Sequence, residues 1–265
     1  MRGAWHAPMA AGAILFLSLA LTGCVTSKKY KMAKKEGALP PQALDWAASA
    51  ATADVTLQSV IVFKGLGSWK REARWDEYVV KVSNRGDQPL RIESAGLIDV
   101  LGQPQSPGVE PWKLEKLSYT NWDKYGKTGL KLLAGAGAVT LYAGAVVAST
   151  MGGLMAPAAA TGGGVILLNI IPVVAVVDIT AVAIMNNQNK KKVVTEFNRR
   201  RLSLPLTIEP GQDSSGSFFF PMTPAPRRLV LQGTAGEVQL ELVVDLAPLA
   251  GLHLKPATEE KATPP

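Results

Sequence analysis

Residues 229–244, LVLQGTAGEVQLELVV, decide the architecture. Leu229 and Leu231 lead into Gly233-Thr234-Ala235-Gly236, after which Val238, Leu240, Leu242 and Val244 recur with period two. Alternation of this kind turns one set of side chains toward a core and the other toward water. The glycine-bounded tetrapeptide between the runs predicts a turn joining two antiparallel strands. The same signature recurs upstream. Val55, Leu57, Ile61 and Phe63 alternate with Thr56, Gln58 and Lys64, and Tyr78, Val80 and Val82 alternate around Lys81 before the turn Asn84-Arg85-Gly86-Asp87. Leu90 and Ile92 open a third strand that continues toward Leu97, Ile98 and Val100. Leu202, Leu204, Leu206 and Ile208 form a fourth, ending at Pro210-Gly211, and Ser217–Phe220 a fifth, bounded by Pro221.

Seven strands follow from this pattern, three before residue 111 and four after residue 201. Their number and length resemble an immunoglobulin-like β-sandwich, without the Cys…Trp…Cys core of antibody domains. The expected class is therefore α+β: a seven-stranded antiparallel sandwich interrupted by a long apolar helical hairpin. Neither block could close a sandwich alone, so the two are expected to pair across the insert. The expected divisions are 54–110 and 202–248 for the two halves of the sandwich and 111–201 for the insert.

The insert is the most unusual part of the chain. Leu132–Val177 holds 46 residues without one charge. Gly, Ala and Pro at 156–164 predict a loop between two helices, Leu132–Ala156 and Gly164–Met185, about 37 and 33 Å long and each able to cross a ~30 Å hydrocarbon core. The second contains thirteen Val, Ile or Leu residues, worth roughly −4 to −8 kcal/mol on insertion, against which Asp178 sets about +3. Asp178 reads either as a functional intramembrane carboxylate or as a structural one near the helix end. In the first helix Ala136, Thr140, Gly144, Ala148, Gly152 and Ala156 are all small and four apart. This stripe resembles a glycine zipper, in which helix backbones pack closely in lipid. Trp112 and Trp122, with Tyr119 and Tyr125, precede the hairpin beside Lys124, Lys127 and Lys131; Lys190, Lys191, Lys192 and Arg199–Arg201 follow it. Aromatic and basic residues at both feet fit a membrane interface, with Trp112, Trp122, Lys131, Lys190, Lys191 and Lys192 as its candidate residues.

At the N-terminus, Arg2, an apolar run from about Met9 to Leu21 and a small-residue region form the three parts of an export signal. Leu21-Thr22-Gly23-Cys24 resembles the lipobox of bacterial lipoproteins. That resemblance implies that residues 1–23 are a signal peptide and that Cys24 becomes the diacylated N-terminus, with a further acyl chain possible on its amine. Two or three chains give lasting attachment where one is marginal. Val25, in place of an aspartate after the cysteine, favours sorting to the outer membrane by the same resemblance. Residues 24–53 then form a lipidated tether with five lysines between 26 and 42, and 249–265 a disordered tail. A lipid on Cys24 puts both feet of the hairpin on the periplasmic side. An inner-membrane span would then violate the positive-inside bias. Insertion into the outer membrane and burial in an oligomer both stay open.

Composition excludes much chemistry. Charged residues are 18 % of the chain and mean hydropathy is +0.13, which is incompatible with disorder throughout. One cysteine and two histidines leave neither a disulfide framework nor a Cys/His metal site. There is no G-x-S-x-G elbow and no phosphate-binding glycine loop. Asp76 and Glu77, being adjacent, would point to opposite faces of a strand. No catalytic residue, metal or cofactor is expected. The net charge, +7 less the contribution of Arg2, sits in the tether and the hairpin feet and suits lipid headgroups rather than nucleic acid. The expected protein is a non-enzymatic, lipid-anchored envelope protein on the periplasmic face of the outer membrane. Membrane lipid, and either copies of itself or envelope-complex proteins, would be its partners. The alternative is an oligomeric membrane-active pore or transport component.

Overall fold

The computed structural model describes Met32 and residues 44–63, 68–70, 73–135 and 179–255. Cys24, residues 24–31 and 33–43 of the expected tether, the stripe from Ala136 to Ala156, Asp178 and residues 256–265 lie outside the described residues. Within the bounds expected for the tether, Trp46–Ser49 is a strand, and at the start of the expected disordered tail Leu249, Leu252 and His253 are buried.

Two antiparallel sheets face each other. The first runs β1 (Trp46–Ser49), β2 (Ala53–Ile61), β3 (Trp75–Asn84) and β7 (Asp213–Pro221), hydrogen-bonded in that order. The second runs β5 (Pro104–Gln105), β4 (Leu90–Ile98), β8 (Arg228–Ala235) and β9 (Val238–Asp245), with β6 (Leu206–Ile208) also beside β4. The two sequence blocks interleave in both sheets: Tyr78 of β3 pairs with Phe218 of β7, and Ala95 of β4 with Leu231 of β8. All seven strands found in the alternation have a counterpart. β1 and β5 are additional, so the described residues hold nine.

Between the sheets lies one apolar core. Val55, Leu57, Tyr78, Val80, Val82, Leu90, Ile92, Phe218, Phe220, Leu231 and Leu242 are all essentially inaccessible. Burial on this scale contributes roughly 1.5–3 kcal/mol for each large side chain. The β3–β4 turn is tied by Asn84, whose amide donates to the carbonyls of Gln88 (2.8 Å) and Ile208 (2.9 Å) while its Oδ1 accepts from the Gly86 N–H.

The β8–β9 turn differs from expectation. β8 runs through Gly233 to Ala235, and only Gly236, with φ +60°, and Glu237 lie between the strands. Gly233 sits inside the strand for a steric reason. It faces the irregularity between Ile92 and Ser94, where a Cβ would lie 2.1 Å from the Arg91 carbonyl oxygen.

Two helices cover the outer face of the first sheet near Trp75. Helix α1 (Pro111–Lys127) has proline at its first turn and buries Leu114, Ser118, Asn121 and Tyr125, one per turn. Helix α2 (Ile179–Arg200) ends against β7, where the Leu202 N–H donates to the Ser217 carbonyl (2.9 Å). Its bounds correct the expected second helix, which stopped at Met185. The helix continues because Val193 and Phe197, four apart, bury against the sheet; Phe197 stacks on Phe219 at 4.2 Å and meets Trp75 edge-on at 6.2 Å.

The expected first helix also begins too early. Leu132 forms an isolated antiparallel bridge with Leu254, and Gly135 has φ +109°, so residues 132–135 are not helical.

Candidate functional site

The two feet of the insert are built differently. At the first, α1 is fastened by polar groups. The Ser118 hydroxyl accepts from the Met222 N–H at 2.9 Å, and the Tyr125 hydroxyl donates to Asp99 at 2.6 Å. Burial and the Asp99 carboxylate hold the Tyr125 phenol well above its ordinary range. With Leu114, Ser118, Asn121 and Tyr125 facing inward, the opposite side of α1 presents Lys113, Lys116, Leu117, Lys124 and Lys127 to solvent. Beyond α1 the chain crosses Gly129 (φ +83°) and is pinned to residues 253–255. The Leu133 N–H donates to the His253 carbonyl and the Lys255 N–H to the Lys131 carbonyl, both at 2.8 Å. The insert departs from this short ladder.

At the second foot, Lys190 of α2 reaches over the Trp112 ring of α1, 5.7 Å from its centroid. Trp112, Glu115, Lys116 and Tyr119 from α1 and Lys190 from α2 line an open groove of about 330 Å³. A second depression of about 550 Å³ lies at the C-terminal end of α1, lined by Trp122, Asp123, Gly126, Lys127, Leu130 and Leu132.

Beneath the helices lies a cluster of buried charge. Lys70 is fully buried, and its ammonium donates to the carbonyls of Trp75 and Ala73. Burial lowers its pKa to about 8, against the opposing pull of Asp76, Glu77 and Glu115. Glu77 accepts from the Trp69 indole (2.6 Å) and the Ser217 hydroxyl (2.7 Å) and pairs with Arg200 at 3.4 Å. The Glu115 carboxylate accepts from the Arg74 N–H at 2.5 Å. As their adjacency on a strand requires, Asp76 points the other way, to His253 Nε2 at 2.8 Å, both residues being inaccessible. The carboxylate thus meets Nε2, the nitrogen that faces the nucleophile in a Ser-His-Asp arrangement, where the acid bonds Nδ1 instead. The Nδ1 of His253 has no hydrogen-bond partner among the described residues.

The structure thus brings together some of the residues singled out in the sequence. Trp112 and Lys190 meet in the groove, with Trp112 also packed edge-on against Trp75 at 6.3 Å. Trp122 is half-buried at the other depression, and Lys131, Lys191 and Lys192 are exposed. Cys24 and the six stripe residues are outside the described part. Sequence reasoning missed Lys113, Lys116 and Leu117. The signal was there: lysines at 113, 116, 124 and 127 share one face once the segment is taken as a helix. It also missed the partnership of Asp76 and His253, which are 177 positions apart. Among the described residues no group of three or more His, Cys, Asp or Glu could hold a metal ion. No described helix is long and apolar enough to cross a membrane. No protein-family model, no curated protein and no solved structure matches the chain.

Proposed function

We propose that the chain is a non-enzymatic, lipid-anchored envelope protein whose rigid sandwich presents an apolar insert to a membrane or to an assembly within it. One observation carries this reading. A run of 46 uncharged residues is held between two lysine-bearing helices, both packed on the same sheet of a folded domain. An apolar run of that length exposed to water would cost far more than a domain's net stability, so it requires a partner. Lipid or another copy of the run meets that need. The lipobox-like Leu21-Thr22-Gly23-Cys24 supports acylation at Cys24 and, with Val25, residence on the periplasmic face of the outer membrane. The sheet orders β2-β3-β7 and β6-β4-β8-β9 support an immunoglobulin-like reading, corresponding to strands A-B-E and C′-C-F-G.

Labelling with a radioactive fatty acid tests the anchor: Cys24→Ser should lose the label and remain unprocessed, and undiminished label would reject the reading. The small-residue stripe favours a second reading, an oligomeric pore or transport component. Gly144→Leu with Gly152→Leu would push the helix backbones apart. Loss of a crosslinked homo-oligomer in native membranes would support that second reading, and crosslinks to other proteins alone would oppose it.

A further inference from the structure

We infer that the outward face of α1 is a docking surface for anionic lipid headgroups, holding the sandwich against the membrane surface. The inference rests on the membrane association proposed above and names the lipid chemistry that the domain itself contacts. Lys113, Lys116, Lys124 and Lys127 project from one side of α1, with Leu117 among them half exposed at 49 %. Asp123 is the only acid of α1 on that side, since Glu115 is buried. Lys113 also pairs with Glu110 at 2.8 Å, at the exposed start of the helix.

Lysine stems can lie along an apolar boundary while their ammonium groups stay among phosphates. A large aliphatic side chain in the middle of the ridge suits an acyl boundary and has no counterpart on a nucleic-acid backbone. The groove beside the ridge, with Trp112 and Tyr119 as walls and Lys116 and Lys190 at its rim, repeats the aromatic and basic pairing of interfacial residues. Position agrees with charge. From Lys127 the chain runs through Lys131 directly to the pinned residues from which the uncharged insert departs. A membrane that receives the insert therefore lies within a few residues of the end of α1.

Because the chain has one cysteine, at position 24, acylation there leaves a Leu117→Cys substitution as the single free thiol. The acylated full chain, carrying an environment-sensitive dye at that thiol, is reconstituted with vesicles of phosphatidylcholine alone or of phosphatidylcholine with phosphatidylglycerol. Flotation reports anchoring, and quenching by a headgroup-attached quencher reports docking of α1. The expected result is flotation with both vesicles and quenching on the anionic ones alone, relieved by high salt as screening shortens from ~10 Å toward ~3 Å. Substituting Lys113, Lys116, Lys124 and Lys127 with glutamine should abolish the quenching while flotation and the thermal midpoint hold. Each lysine near an anionic surface contributes about fivefold in partitioning. The matching arginine variant should restore the quenching. Flotation with equal quenching on neutral and anionic vesicles, or with none on either, would overturn the inference alone. Failure to float with either vesicle would overturn the anchoring reading and this inference with it.

Discussion

The two faces of the first sheet are held by different physics. Inward, toward the second sheet, Val80, Val82, Phe218 and Phe220 join an aliphatic and aromatic core. Outward, near Trp75, the same strands carry Phe219 and Glu77, covered by Phe197, Val193 and Leu114 from the helices and surrounded by Lys70, Glu115 and Arg200. The three consecutive phenylalanines show the division most simply, since 218 and 220 go in and 219 goes out. The inner face depends chiefly on apolar area, with Asp76 and His253 as a buried polar pair on that side. The outer one combines ring contacts with buried charges that must all be satisfied together.

Single truncations on the two sides should separate these regions. Phe220→Ala should cost about 3–5 kcal/mol and lower the cooperative denaturant midpoint of the whole domain. Phe197→Ala removes the same volume and a ring stack, at a similar cost, but its effect should stay local. Hydrogen exchange should quicken in α2 and hold in β4 and β8. If both variants expose the β8 amides equally, the sheets and helices are one cooperative unit and the contrast fails.

A charge substitution sharpens the comparison at the next magnitude. Lys70 is held near pKa 8 by burial, against 10.5 in an open chain. Between those values the unfolded chain keeps a proton that the folded chain has released, so stability should rise with pH across the window, by on the order of 3 kcal/mol. Lys70→Met should flatten that rise and, by removing a buried charge, leave the protein no less stable at neutral pH. Tyr78 and Tyr125, whose phenols burial holds above the ordinary range, act in the opposite sense only above about pH 10. Urea titrations from pH 8 to pH 10 are therefore the clean measurement, and parallel curves for parent and variant would show that Lys70 is not desolvated as described.

The smallest effect belongs to the rim of the helix layer. Hydrogen bonds from Arg199, then Arg200, hold the Glu196 carboxyl at about 2, despite partial burial. Its folded value is depressed, so its contribution is present above the open-chain value of 4.5 and is lost as pH falls toward 2. Arg199 is mostly exposed and the pair is screened, so Glu196→Gln should cost ~1 kcal/mol or less. The difference in melting temperature from the parent should shrink on acidification, and a difference independent of pH would assign the effect to packing.

Legibility in the sequence followed the same divide. The inner core announces itself because Val55 and Leu57 flank Thr56, Val80 and Val82 flank Lys81, and Leu240 and Leu242 flank Glu241, and a period of two needs no tertiary information. β1, the stretch WAAS, has too little apolar bulk to show alternation, and β5 is only two residues long. Helix α1 stayed hidden because its buried stripe includes Ser118, Asn121 and Glu115, whose burial is stabilised by partners distant in sequence. Its aromatic residues were visible, but as a cluster rather than as one side of a helix. The site therefore showed its composition, lysines with aromatics beside an apolar run, and concealed its geometry. Lys70 and the Asp76–His253 pair left no local trace.

The ladder at residues 131–133 and 253–255 sets where tension would travel. A pull on the insert reaches Gly135 and then the Leu133–His253 and Lys131–Lys255 hydrogen bonds before it reaches α1. Lying in series from Gly135 inward, those two bonds would open one after another, as a zipper does. His253 passes any remaining load inward, through Asp76, to β3. Behind the zipper, α1 is fixed by Tyr125 to Asp99 and by Ser118 to Met222. The two ends of the insert are therefore mounted unequally: at α1 two backbone bonds stand in series ahead of the helix's own fastenings, whereas at the other end α2 begins at Ile179, two residues after the uncharged run.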